Sequence, residues 1–309
     1  MEDYPRTLAD FERRFRSEEA CRDYLFRVRW PEGFRCPRCG ESRAWRLRSA
    51  LWQCANCAYQ ASLTAGTIFQ DTRTPLKVWF HALWWMTSQK NGVSALGLQR
   101  VLGLGSYQTA WCWLHKLRRA MVRPGRDRLS GTVEVDEAYV GAPEEGVRGR
   151  ETQSKALIVV AAQEEGRGIG RIRMRRIADA SAGRLMPFVE ESIAPGSVVH
   201  TDGWLGYLPL DSKGYRRQIT VLRGQRHPSE LLPRVHRVIS LLKRWLLGTH
   251  QGAVRLEHLD DYLNEFTFRF NRRRSRSRGK LFFRLVQQAM AVEPSTYTSI
   301  VSSAKTSCV

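Results

Sequence analysis

The pattern of apolar positions changes character partway along the chain. Over 8–30 apolar residues recur at helical spacing, with a break near Arg16. There Ser17 can cap a second helix whose first turn holds Glu18 and Glu19, the sign the helix dipole favours. "RWPEGF" ends it, and 34–63 read as short strands and turns. Pro75 opens a tryptophan-rich helix through about Ser88. A short helix, 94–102, a glycine-rich turn and a longer helix, 107–121, follow, with Trp111, Leu114 and Leu117 facing inward. From 131 the period becomes two, giving strands near 131–140, 155–163 and 168–177, the last pair joined by "EEGRG". A helix near 181–193, a strand near 197–202 and helices over 229–247, 256–270 and 280–291 complete the reading, while the tail shows no pattern.

In "VEVDEAYVG" (133–141) this alternation puts Val133 and Val135 on one face and Glu134 and Asp136 on the other. Paired carboxylates repel unless something positive lies between them, so the stretch asks for a cation. A second acid, Asp202, ends the β-branched run of "GSVVHTDGWLGY". Mg²⁺ prefers oxygen ligands and is commonly held by one or two carboxylates. Alone, each Asp reads equally well as a turn or capping residue. As a pair, with strands and a helix between them, they fit an α/β sheet of ribonuclease H type. A third ligand is expected from the later helix "PSELLPRVHRVISLLKRWLLG". Its apolar stripe is Val235, Val238, Ile239, Leu242 and Leu246; the neighbouring stripe holds His236, Ser240 and Lys243 and no Glu, and Glu230 lies near the helix start.

Charge sharpens the picture. The chain has 50 Lys+Arg against 30 Asp+Glu, net +20, spread along its whole length. This points to a polyanion, with nucleic acid ahead of a membrane surface. No apolar run is long enough to span a membrane, and no signal core opens the chain, so a cytoplasmic protein is expected. Cys36, Cys39, Cys54 and Cys57 form two C-x2-C knuckles, a closed tetrahedral Zn²⁺ site. Such a ribbon either touches DNA, helped by Arg35, Arg38, Arg43, Arg46 and Arg48, or staples a segment too small for its own core. Cys21, Cys112 and Cys308 read as free thiols. The 94–121 segment reads as a DNA-binding helix-turn-helix offering Gln108 and Lys116, or as an ordinary helical hairpin.

"SEEACRDYLFRVRWPEGFRCPRCG", "VEVDEAYVG", "HTDGWLGY", "HRVISLLKRWLLGTH" and "YLNEFTFRFNRR" together resemble DDE-type insertion-sequence transposases with a zinc-ribbon head, the IS1595 group, over about 8–290. The resemblance implies a ribonuclease H-like domain that cleaves DNA at terminal inverted repeats with Mg²⁺ or Mn²⁺ and transfers strands into target DNA. It implies Asp136 and Asp202 as metal-binding catalytic acids, with His236 at the position of the third acid. Lys243 and Glu265 join them as candidate catalytic residues, and Arg244, Arg269 and Arg272 as DNA contacts. Glu265, Arg269 and Arg272 share a helix face, so the acid can orient both guanidiniums; the plainer reading is a surface ion pair. Glu265 or Glu134 is a candidate to restore the charge that His236 lacks.

The expected architecture is α+β and multidomain: N-terminal helices (1–30), zinc ribbon (31–70), helix-turn-helix-like region (71–125), ribonuclease H-like domain (126–291) and tail (292–309). The expected partner is double-stranded DNA, with a homodimer or higher oligomer on it. Two other readings fit the same residues: a regulator that binds DNA without cutting it, and a nuclease that never joins strands. "NRRRSRSRGK" (271–280) is either an ordered DNA clamp or a disordered arm.

Overall fold

The computed structural model describes residues 3–123, 125–141, 155–221, 231–251 and 254–306. The chain forms two compact units, 1–123 with 275–309, and 124–274. In the first, α1 (Leu8–Arg14) and α2 (Glu18–Arg29) are capped by Thr7 and Ser17. The ribbon is an antiparallel sheet of β1 (Ala44–Arg46), β2 (Trp52–Cys54) and β3 (Gln60–Ala61). α3 (Leu76–Ser88) opens after Pro75 with no cap of its own; Glu18 takes that role, accepting the Leu76 and Lys77 amides at 3.0 and 3.1 Å. α4 (Ala95–Leu102) ends at Gly103 in the left-handed region, and Ser106 caps α5 (Tyr107–Ala120). Leu114 and Leu117 face inward as expected, but Trp113 replaces Trp111 as the buried tryptophan and stacks on Trp79 at 3.6 Å.

The second unit is a five-stranded mixed sheet in the order β6-β5-β4-β7-β8. Its strands are β4 (Thr132–Gly141), β5 (Lys155–Glu165), β6 (Gly168–Ile177), β7 (Val198–Thr201) and β8 (Arg216–Ile219). β4, β5 and β6 are antiparallel neighbours, while β7 runs parallel to β4 and β8 to β7. That order and polarity is the ribonuclease H-like arrangement. α6 (Ala182–Ser192) and a 3-10 segment (Leu205–Lys213) cover one face with Val133, Val135, Val159 and Val199. α7 (Pro233–His250) and α8 (Leu259–Asn271) cover the other with Val140, Ile158, Val160 and Met174.

β6 lies at an edge, where backbone groups lack a strand partner. Asn271 supplies one: its amide oxygen accepts the Ile172 N–H at 2.7 Å and its amide nitrogen donates to the Ile172 carbonyl at 3.1 Å. Arg273 donates to the carbonyls of Ile169 and Gly170 and lies 4.0 Å from the Phe270 ring centroid. The start of "NRRRSRSRGK" is thus an ordered seal on the sheet.

The expected boundary at 291 moves to 274. α9 (Arg278–Ala291) belongs to the first unit, where Phe282, fully buried, contacts the rings of Phe11, Phe15, Tyr24, Phe80 and Trp84. Gly279 lets it approach: an added Cβ would fall 1.5 Å from the Pro5 carbonyl oxygen. The tail, without pattern in the sequence, forms α10 (Tyr297–Thr306).

Candidate active site

The three carboxylates of "VEVDEAYVG" divide three tasks between them. Glu134, 1% exposed, accepts the backbone amides of Arg234 and Val235 at 2.7 and 2.8 Å and the Arg234 guanidinium at 2.9 Å. α7 begins with Pro233 and has no side-chain cap from its own segment. Glu134 therefore caps it from β4, satisfying orphan amides and facing the positive end of the helix dipole. This anchors the first turn of α7 and with it His236. Glu137 points to the other face and accepts the Tyr207 hydroxyl. Tyr207 is fully buried in the 3-10 segment just after Asp202, and burial next to Glu137 keeps its hydroxyl well above its ordinary pKa, hence protonated. The two outer acids thus hold the segments that carry His236 and Asp202.

Asp136 lies between them. The parallel pairing of Val133 with Val199 and Glu134 with His200, continued by two residues, sets Asp136 level with Asp202. His236 reaches the same place from α7, its Nε2 3.0 Å from Asp136 Oδ2. The hydrogen bond to Asp136 raises the imidazole pKa; burial opposes this, and the charges of Asp136, Glu134 and Asp202 add to it. Asp202 Oδ1 accepts the Trp204 amide at 3.0 Å. Asp136 Oδ1 and Asp202 Oδ2 make no hydrogen bond among the described residues. Two carboxylates at adjacent strand ends, each with an open oxygen and Asp202 exposed, are a donor set that fits a hard divalent cation.

The remaining expected residues are placed elsewhere. Lys243 lies two helical turns beyond His236, exposed, and lines a cavity of about 270 Å³ with Val140, Lys155, Leu246 and Val254. Arg244 is exposed beside it. Glu265 is fully buried, and its Oε1 accepts both Arg269 Nε and Nη2 at 2.8 and 2.7 Å. The acid orients that guanidinium from a buried position, so the pair is not a surface ion pair. Arg272 lies over the Phe268 ring at 4.0 Å. Gln108 is exposed at the start of α5 and Lys116 half-buried on it. Glu230 and Cys308 lie outside the described residues.

In the ribbon the four sulfurs lie within 4.8 Å of one another, Cys36 to Cys57 at 3.6 Å and Cys39 to Cys54 at 3.5 Å. Four thiolates around one zinc at ~2.3 Å each require sulfur spacings of about 3.8 Å. The two knuckles are built alike: the amide of the fourth residue after the first cysteine donates back to it, Gly40 to Cys36 and Ala58 to Cys54, both in the left-handed region. Arg46, expected to face DNA, pairs with Glu19. Cys21 and Cys112 are buried and free.

Residues 128–271 match the ISXO2-like transposase domain, and 16–60 match the transposase zinc-ribbon domain. The chain is 27% identical over 279 residues to an uncharacterized protein in transposable element ISH50 of Halobacterium salinarum, covering 82% of this chain and 91% of that one. The Mos1 strand transfer complex aligns at 11% identity and a TM-score of 0.26, over 76% of this chain and 81% of that one. No helix among the described residues is long and apolar enough to cross a membrane.

Proposed function

We propose that this chain, which matches the ISXO2-like transposase domain over 128–271 and the transposase zinc-ribbon domain over 16–60, is a DNA transposase of an insertion sequence, with Asp136, Asp202 and His236 as its catalytic centre. In this reading it cleaves phosphodiester bonds at the ends of its element and joins them to target DNA. The observation that carries the reading is the convergence of Asp136, Asp202 and His236 from β4, β7 and α7.

Asp136 Oδ1 and Asp202 Oδ2 would hold Mg²⁺ or Mn²⁺, which when bound supplies charge neutralisation at the scissile phosphate. His236 donates to Asp136 Oδ2 and so turns Oδ1 outward, a positioning task a third carboxylate at this place would not perform. Glu134 and Glu137 hold the two supporting segments rigid, which keeps reacting groups in register. Lys243, Arg244, Gln108 and Lys116 grip DNA phosphates, and the ribbon holds structural zinc. Pairing two DNA ends calls for a homodimer or higher oligomer.

The test is strand transfer by the purified full-length chain on DNA carrying its element's ends, with Mg²⁺ or Mn²⁺. Joined molecules support the proposal. Nicks without joining make it a nuclease, and binding without cutting makes it a regulator.

A further inference from the structure

Many arginines of the second unit are matched to carboxylates. Arg175 pairs with Glu191, Arg176 with Asp260, Arg217 with Asp211, Arg234 with Glu134 and Arg274 with Glu165. A cluster on the edge strand β6 and the segment leading into β4 is built differently. Arg173 is 4% exposed, yet its guanidinium donates only to the backbone carbonyls of Ile172 and Asp127. Burial, and after it the charges of Arg126 and Arg171, pull its pKa down to about 10. Arg126 makes no hydrogen bond or ion pair with any described residue. Arg171, 41% exposed, has Asp127 at 3.7 Å, and that carboxylate is itself 75% exposed. Arg171 also donates to the Arg128 backbone carbonyl at 3.2 Å, while the exposed Arg128 side chain places its charge near Tyr215, outside the cluster. The other nearby acid, Glu191, is taken by Arg175.

A guanidinium removed from water and given only neutral acceptors is costly, because carbonyls do not return what hydration gave. Nearby cations add to the cost. The fold keeps the cluster nonetheless, with Arg126 and Arg171 half-buried at the rim and Arg173 buried behind them. That is the layout of an anion receptor: the rim guanidiniums grip in bidentate fashion, and Arg173 raises the potential through an interior that screens poorly.

The cluster is separate from the aspartates. β6 pairs Met174 with Val160, and Val160 faces Asp136 across β5 and β4, so Met174 shares the face of Asp136. Arg171 and Arg173 alternate with Ile172 and Met174 and point to the opposite face, two strands away.

We propose that Arg126 and Arg171, backed by Arg173, form a second phosphodiester-binding site on the face of the sheet opposite the catalytic aspartates. It rests on the reading of the chain as a DNA-acting enzyme. Its occupant is the sugar-phosphate backbone of duplex DNA, bound without regard to sequence, since guanidiniums facing phosphate read no bases.

The experiment measures affinity of the full chain for a duplex of unrelated sequence across a salt series. Wild type is compared with R126Q/R171Q and with R216Q/R217Q, which removes the same charge on β8 at the opposite edge of the sheet. The log–log salt slope should become shallower by about 0.9 for each phosphate that the first variant no longer neutralises, and stay unchanged in the second. Equal slopes for wild type and the first variant, or equal shifts in both variants, would overturn the site. R173M should weaken binding with little change in slope; if it does not fold, the surface variants still decide. Inorganic phosphate alone should not raise the melting temperature as a short duplex does; equal stabilisation would make this a free-anion site and overturn the assignment to DNA. If wild type binds no DNA, the DNA-acting reading falls with the site; if it binds and cuts but the slopes agree, the site alone falls.

Discussion

Nε2 of His236 lies 3.0 Å from Oδ2 of Asp136, joining residues 100 positions apart. The hydrogen bond exists because α7 is anchored two residues back along β4, where Glu134 binds the helix's first amides. The Asp136–His236 contact and the helix cap are thus two parts of one strand–helix joint.

In the proposed centre His236 acts by orienting a carboxylate, so the effect of losing it is bounded. His236→Ala should lower the cleavage rate by about 10- to 100-fold, as loss of partners that orient metal ligands commonly does. His236→Gln, which keeps a donor at similar reach, should recover part of it. Cleavage assays under single-turnover conditions check this.

Glu134 is buried against a guanidinium and two backbone amides. Glu134→Ala would leave Arg234 without one of its acids and the start of α7 uncapped, a loss of about 3–5 kcal/mol for a broken buried pair. Chemical denaturation should show a lower midpoint, with cleavage falling as His236 loses its anchor.

The ribbon should bind one zinc per chain, measurable by metal analysis. Chelation should expose Cys36, Cys39, Cys54 and Cys57 to alkylation at neutral pH. Cys21 should stay unlabelled in the folded chain, because it is fully buried and burial pushes its thiol up to about 12. Mass spectrometry of the labelled chain distinguishes these sets.

Phe282 sits at the centre of the first unit's aromatic cluster. Phe282→Ala should cost about 3–5 kcal/mol there. A fragment spanning 124–274 should still fold, as followed by circular dichroism, since α9 contributes to the other unit's core.

The sequence revealed most where signals were local. Cysteine spacing marked the ribbon, and the alternation of Val133 and Val135 with Glu134 and Asp136 marked the two faces of β4. The Ser17 cap before Glu18 and Glu19 placed α2, and the apolar pattern around a glycine-rich turn placed α4 and α5 within a few residues. Long-range partnerships were not legible. Nothing in "VEVDEAYVG" says that Glu134 caps a helix a hundred residues on, or that Glu137 holds Tyr207. Periodicity showed α9 as a helix but not which core it fills. β8, "RRQI", carries no alternation because it is an exposed edge strand, and the burial of the Glu265–Arg269 pair is invisible in a helix-face pattern.

The most direct test compares wild type with Asp136→Asn for both binding and cutting of element-end DNA in Mg²⁺ or Mn²⁺. The substitution keeps the side chain's shape and its reach to His236 while removing the charge that would hold the cation. Binding should be unchanged and cleavage should fall at least about a hundredfold. Cleavage at the wild-type rate by Asp136→Asn would contradict the assignment of the catalytic centre.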